Sequence, residues 1–419
     1  MIEKVLELRA RADYRAALAA ALADDAPSFE LLLELGRLQH DLGDEAEAEG
    51  TFERAAEAAD GPRPRARALA RLAGVYRDEG RSREAEETAR KALELAGADD
   101  SLERADALVA VADVQRDIGD LAAAKEGYLG ARPAADTAAE SVERDRIRIR
   151  ARAGLANVSR AEGRYSQAEP LLREVLAMTE DAFGPDSLET AEALNDLGIL
   201  FKYWGRFDDA EPLYQRTLAI LERAVGEEHY SVASLYHNLG GLEHARGNYE
   251  AAEPHARRSV EIRRRLYGRD HPATAADEAA LASILYALRK EEEAEQLLRD
   301  ALPVYERVYG DDHYEVSVHL NNLAAILQRR GQYEEAEALY RRSLEMKEKL
   351  VGPEHPVIAN TLNNIAVICR RQGRLEEAEE LYERALAILE AGVEPDHPTL
   401  ATTRRNYEAL RTARKNQAS

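Results

Sequence analysis

The chain of 419 residues carries 79 Asp and Glu against 57 Lys and Arg, a formal net charge of −22. Such acidity argues against a general nucleic-acid binder, which needs a basic surface, and against an anionic membrane as the main partner. Aromatic residues make up only 6%. Alanine, leucine, glutamate and arginine, all good helix formers, dominate, so a helical protein is expected rather than a β-rich one.

Before residue 147, a glycine followed five residues later by an alanine marks a helical hairpin three times, at irregular spacing. The pairs are Gly43 with Ala48, Gly80 with Ala85, and Gly119 with Ala124. A truncated first unit is expected around Tyr14 and Ala17. We therefore predict a partial N-terminal repeat or cap over residues 1–27 and irregular repeats over residues 28–147.

The repeat pattern weakens between Gly127 and Asp145, where Gly130 and Pro133 fall inside the second helix of a hairpin. Glycine and proline weaken an exposed helix interior by about 1 and about 3 kcal/mol. The sequence therefore predicts an interrupted helix here and a soft joint near residues 130–147.

A regular period of 42 residues follows over residues 148–398. Six alanines mark it: Ala168, Ala210, Ala252, Ala294, Ala336 and Ala378. A turn glycine stands five residues before each of them except at Arg289: Gly163, Gly205, Gly247, Gly331 and Gly373. Apolar residues recur at three-to-four spacing on both sides of that turn, so each unit reads as two amphipathic helices. Residues 399–419 are predicted to form a C-terminal capping helix and tail.

These units resemble tetratricopeptide repeats, in the 42-residue subtype of kinesin light chains. The residues that carry the resemblance are VHLNNLAAILQRRGQYEEAEALYRRSLEMKEKLVGPEHP at 318–356 and TLNNIAVICRRQGRLEEAEELYERALAILE at 361–390. The resemblance implies an all-α, right-handed superhelical solenoid of about nine to ten helix–turn–helix units plus a capping helix. It also implies that the first helix of each pair lines a concave groove in which asparagines hold a peptide.

Two rows of polar residues lie on the predicted first helices. Three residues before each turn stand His40, Arg77, Arg116, Arg160, Lys202, His244, Tyr286, Gln328 and Arg370, with no acid among them. Ten residues before the turn stand Asn195, His237, Asn321 and Asn363, with Asn238, Asn322 and Asn364 beside the last three. From these rows we predict the partner-binding residues Arg116, Arg160, Asn195, Lys202, His237, Asn238, His244, Asn321, Asn322, Asn363, Asn364 and Arg370. Two alternatives need no ligand: the bases complement the helix dipole, and the asparagines hydrogen-bond between repeats.

A histidine also recurs every 42 residues, ahead of each first helix, as His229, His271, His313, His355 and His397. One histidine per repeat cannot converge on a single ion, so we interpret the row as structural turns and predict no metal or other cofactor. No phosphate-binding, nucleophile-elbow or HExxH motif occurs, so an enzyme is not expected. The single cysteine, Cys369, excludes a disulfide framework, and without a signal-peptide pattern a cytoplasmic protein is expected.

The sequence analysis thus predicts a non-catalytic scaffold or adaptor that binds a peptide or partner protein in a concave groove, and the row of bases suggests an acidic or carboxylate-bearing one. Two alternatives stay open. One is a regulatory sensor that binds a small molecule or a signalling peptide. The other is a structural assembly protein that decorates a filament or associates end to end.

Overall fold

The computed structural model describes residues 1–99, 101–310, 312–392 and 398–418, and over those residues it contains helices and no strand. The chain divides into two compact units, unit 1 over Met1–Arg246 and unit 2 over Gly247–Ser419. The predicted all-α repeat fold is confirmed. No helix of the described residues is both long and apolar enough to span a membrane.

Unit 1 contains thirteen helices within the residues described. They are α1 (Ile2–Ala10), α2 (Tyr14–Leu22), α3 (Phe29–Asp41), α4 (Glu45–Ala58), α5 (Pro62–Asp78), α6 (Ser82–Ala96), α7 (Leu102–Asp117), α8 (Leu121–Thr137), α9 (Val142–Ala161), α10 (Tyr165–Phe183), α11 (Leu188–Tyr203), α12 (Phe207–Ala224) and α13 (Tyr230–Arg246). Helices α1 and α2 pack together as a hairpin, so the repeat predicted as partial over residues 1–27 has both of its helices.

Unit 2 contains eight helices over its described residues. They are α14 (Tyr249–Tyr267), α15 (Pro272–Ala287), α16 (Glu291–Tyr309), α17 (Tyr314–Arg329), α18 (Tyr333–Val351), α19 (Val357–Arg371), α20 (Leu375–Gly392) and α21 (Pro398–Ala418). The last helix, α21, packs against α19 and α20 and buries Leu400 and Leu410. It therefore covers the final apolar face, as the sequence predicted for a capping helix.

Each hairpin closes through the small residues that mark the repeat. Gly163 has φ 73°, in the left-handed region that suits a glycine after a helix, and Ala168 of the following helix is fully buried. A buried tyrosine of the second helix then packs on the first. In the α11–α12 hairpin the Tyr214 ring lies so close to Gly198 that a Cβ there would approach it within 2.6 Å. Small and large residues thus interlock within a single repeat.

The recurring histidines cap the first helices, as their structural interpretation predicts. In His271, His313 and His355 the Nδ1 atom accepts a hydrogen bond of 3.2 Å from the backbone N–H two residues later. His229 makes the same bond to the N–H of Ser231. Each ring thereby satisfies one of the free N–H groups at a helix start. His397 lies outside the described residues.

The predicted interruption of the helix after Gly127 is wrong. Helix α8 runs through Gly130 and Pro133 to Thr137. Tertiary packing outweighs the local propensities, because Tyr128, Ala131 and Ala135 of α8 are buried against α7 and α9 in one apolar cluster. The soft joint near residues 130–147 remains a prediction about dynamics.

The first helices form the inner layer of each unit. Consecutive first helices contact one another, from α1 through α13 in unit 1 and from α15 through α21 in unit 2. No comparable contact joins consecutive second helices in the part of the chain that the structure describes. A layer whose members lie closer together is the inner side of a curved stack. The first helices therefore line the concave side of their own unit.

Candidate functional site

The predicted basic row begins with residues that are already neutralised. Arg77 contacts Asp78 and Asp113, and Arg116 contacts Asp117 at 2.9 Å and Asp113 at 3.8 Å. His40 lies 3.2 Å from Asp78. Acids on the same or the next first helix thus take up these charges, and Arg116 is not a free cation for a ligand.

The row then reaches three cations that form no ion pair among the described residues: Arg160, Lys202 and Arg370. Arg160 and Lys202 both lie over the ring of Tyr203, with the guanidinium carbon 5.6 Å and the ammonium nitrogen 5.2 Å from its centroid. Tyr203 itself is 59% exposed. Burial, and then the nearby Arg160, lower the pKa of Lys202, so the two cations repel each other. In unit 2, Arg370 lies beside Tyr382, which has a pKa raised by burial to about 12.

The asparagine row bridges consecutive first helices. Asn238 donates to Asn195 at 2.9 Å, and Asn406 donates to Asn363 at 2.9 Å. Asn321 accepts a hydrogen bond of 3.1 Å from Thr361 on the next first helix. These bonds agree with the alternative in which the asparagines join repeats, although each amide keeps further donor or acceptor capacity.

The remaining predicted residues lie on the same helices without forming one constellation. His237 is half-buried on α13, and the partial burial of His244 on the same helix lowers its pKa. Asn322 and Asn364 are half-buried on α17 and α19, and Asn364 accepts from Asn363 at 3.3 Å.

Sequence reasoning missed a buried network of arginines and carboxylates inside unit 1. Arg9 of α1 lies 2.7 Å from Asp41 on α3 and 3.0 Å from Glu189 on α11. Arg37 of α3 donates to Glu143 of α9 at 2.7 Å. Because helices so far apart in sequence are bonded, the inner layer of unit 1 closes on itself.

Further contacts join the helices of this inner layer. The Tyr14 hydroxyl accepts a hydrogen bond of 2.8 Å from the backbone N–H of Leu188, and Arg15 donates to the carbonyl of Val225 at 3.1 Å. Arg150 of α9 reaches back to Asp106 and Asp113 of α7 at 3.0 and 2.8 Å. The arginines of the segment RDRIRIRAR, each two residues from the next, were the available sequence signal, but the partners of Arg146 and Arg150 lie far away in the chain.

Some carboxylates of this region are paired with arginines and others are not. Burial alone would raise the pKa values of Glu143 and Glu189. The neighbouring arginines instead hold the pKa of Glu143 well below its usual range and the pKa of Glu189 at about 2. Burial, and then the neighbouring Asp196, instead raise the pKa of Glu192 to about 7. Burial also raises the pKa of Asp196, against a hydrogen bond of 3.0 Å from Asn157.

A cavity of about 510 Å³ lies within unit 1, enclosed mainly by its first helices. Charged side chains lining it include Arg9, Arg146, Arg150, Glu189, Glu192 and Asp196. Of the predicted site residues, Arg116 and Asn195 line it, and the other predicted residues of unit 1 do not. The volume is in the range of small-molecule sites.

One cluster has the composition of a metal site. Ligand atoms of Glu337, Cys369 and Glu377 lie within 4.8 Å of one another. Arg341 and Arg374 contact both glutamates, and burial raises the pKa of the Cys369 thiol to about 11. A protonated thiol and arginine-paired carboxylates make a poor metal site.

Family models described as tetratricopeptide repeat match residues 148–223, 231–307, 276–349, 315–391 and 357–419. Further models with the same description match residues 66–99 and 30–54. Together they cover more than half of the chain. A search of curated proteins found no similar sequence.

Solved structures with similar folds include a signal-transduction ATPase with numerous domains, with a tetratricopeptide repeat sensor, from Pyrococcus horikoshii. It has 13% identity and a TM-score of 0.58 over 91% of this chain and 52% of that chain. A putative kinesin light chain with nearly identical repeats from Podospora anserina matches at 24% identity, TM-score 0.43, over 47% and 93% of the two chains. BtubC (BKLC) from P. vanneervenii has 21% identity and a TM-score of 0.46 over 58% of this chain and 94% of that chain.

Proposed function

Because the chain belongs to the tetratricopeptide repeat family, we propose that it is a non-catalytic interaction scaffold that binds a peptide or partner protein on its first helices. The observation that carries the proposal is the pair Arg160 and Lys202, two neighbouring cations without a carboxylate partner among the described residues. The chain has an excess of acids, so two unpaired bases side by side favour an anionic group supplied by a partner.

The surroundings of these cations suit an acidic peptide. Tyr203, which is 59% exposed beside both cations, offers an aromatic surface for apolar groups of the partner. The Asn195–Asn238 pair lies on α11 and α13, seven residues before Lys202 on α11, which is about 10 Å along the helix. About three residues of an extended peptide span that distance. We propose that its backbone meets the asparagines while a carboxylate meets the cations.

Unit 2 repeats the arrangement on its own helices. Asn363 and Arg370 stand seven residues apart on α19, as Asn195 and Lys202 do on α11. We propose that this second position binds a carboxylate-bearing segment as well, through the guanidinium of Arg370.

The proposal is tested by a pull-down followed by an array of acidic peptides. We expect Arg160→Glu with Lys202→Glu to weaken binding at unit 1 by about tenfold or more, and Arg370→Glu to weaken binding at unit 2. Binding should also fall as salt rises. The control is Arg83→Glu on α6, where the side chain is 91% exposed on a second helix. If all three reversals together leave partner binding unchanged, the assignment to this surface is wrong.

A further inference from the structure

The cavity of unit 1 contains two carboxylates that the surrounding arginines leave unpaired. Glu192 and Asp196 stand one turn apart on α11 and line the cavity. Neither forms an ion pair within the described residues, although seven arginines line the same cavity. Glu192 is exposed to the cavity, so its carboxylate is accessible to a molecule inside it.

Two arginines from other helices, Arg146 of α9 and Arg9 of α1, meet at Glu189 near the start of α11. Arg146 pairs only with Glu189 among the described residues, at 3.0 Å, and Arg9 shares that carboxylate at 3.0 Å. The Nε atoms of Arg9 and Arg146 are buried without a hydrogen-bond partner, and the Arg9 side chain is only 8% exposed. Buried N–H donors of this kind are normally satisfied, so an anionic group that reached these guanidinium groups would be stabilised.

The geometry of α11 sets the distance between the unpaired carboxylates and the arginines at Glu189. Glu189 is three residues from Glu192 and seven from Asp196, which is about 5 and about 10 Å along α11. A ligand that satisfies both ends needs a cationic donor near the carboxylates and an anionic acceptor near Arg146, about 5–10 Å apart.

We propose that the cavity of unit 1 binds a small zwitterion, with a protonated amine on Glu192 and Asp196 and a carboxylate or similar anion on Arg146. The cavity volume of about 510 Å³ accommodates a short peptide or an amino acid with a long side chain. This site adjoins the surface with Arg160 and Lys202: neither of those cations lines the cavity, whereas Asn195 does.

Isothermal titration calorimetry of the full chain with triglycine tests the proposal, because the charged termini of extended triglycine are about 10 Å apart. We expect triglycine to bind, and N-acetyl-triglycine and triglycine amide, which each lack one charge, to bind about tenfold or more weakly. Glycine is too short to reach both ends and should bind more weakly as well. Absence of triglycine binding at millimolar concentration would overturn the proposal.

Two variants locate the site. Glu192→Gln and Asp196→Asn should each weaken triglycine binding by about tenfold. In these variants N-acetyl-triglycine should bind about as well as triglycine does. The matched control, Glu87→Gln on α6, removes an exposed carboxylate of the same unit and should change nothing. The fluorescence of Trp204, the single tryptophan, verifies that unit 1 of each variant is folded. Folded variants that bind all three peptides as the parent does contradict the proposal.

Discussion

The guanidinium of Arg9 lies 3.0 Å from the carboxylate of Glu189, although 180 residues separate them in the chain. Arg9 also contacts Asp41 and Glu34, and its side chain is 8% exposed. One residue of the first helix thereby joins α1, α3 and α11 and closes the inner layer of unit 1.

Replacing this arginine should destabilise unit 1. Arg9→Met leaves three carboxylates together without their shared cation, and breaking a buried ion pair from one side costs about 3–5 kcal/mol. Urea unfolding followed by Trp204 fluorescence measures the change, because that residue lies in unit 1. Arg11→Met is the control, since its side chain is 70% exposed and, among the residues described, it pairs only with Glu7. Equal stability of the two variants would show that the closure contributes nothing.

Arg289 occupies the place of a turn glycine and has φ 63°, whereas Gly331 one repeat later has φ 80°. The left-handed conformation costs a residue with a Cβ about 1–2 kcal/mol. Arg289→Gly should therefore raise the stability of unit 2 by about 1 kcal/mol, measured by urea unfolding followed by circular dichroism. The reverse change, Gly331→Arg, should lower it by a similar amount. A destabilised Arg289→Gly variant would mean that contacts of the arginine side chain outweigh the strain.

Lys347 should make the stability of unit 2 depend on pH. Its side chain is buried between α18 and α19, where its ammonium donates to Thr361 at 3.1 Å, and burial lowers its pKa to about 8 from an ordinary value of 10.5. Between these values the unfolded chain holds the proton and the folded chain does not. The free energy of unfolding therefore rises with pH across that window, by about 3 kcal/mol in total.

The test is Lys347→Met, which removes the buried charge and keeps the side-chain length. We expect the variant to be more stable than the parent below pH 8 and to lose that advantage as pH approaches 10.5. Urea unfolding at several pH values measures it, with Lys349→Met, 53% exposed, as the control. A difference between variant and parent that does not change with pH would refute the prediction.

The segment 130–147 is expected to be the soft joint of the N-terminal repeats. Pro133 removes a backbone N–H from α8, and Gly130 leaves room for a methyl group, with Leu108 3.6 Å from the position of its Cβ. Hydrogen exchange should be faster there than over residues 320–390. Gly130→Ala with Pro133→Ala should slow it by strengthening the helix. Equal protection of residues 120–160 and 320–390 in the parent would exclude a joint.

Within a repeat, the sequence alone determined the hairpin, its turn and its buried alanine. These features depend on contacts between residues fewer than 42 apart, so glycine, small residues and apolar spacing are enough to predict them. The turns at His271 and His313 were predicted for the same reason, although the capping bonds of their rings were not. The exception was α8, where packing against two neighbours outweighed the local effect of Gly130 and Pro133.

Between repeats, only the tertiary structure decided which charges are paired. The basic row was visible in the sequence, but the neutralisation of Arg116 by Asp113 and the isolation of Arg160 were not. The meeting of Arg9 with Glu189 depends on small rotations that accumulate over many repeats. The total rotation cannot be predicted from any local sequence pattern. The closed inner layer of unit 1 and its charged cavity are therefore seen only in the tertiary structure.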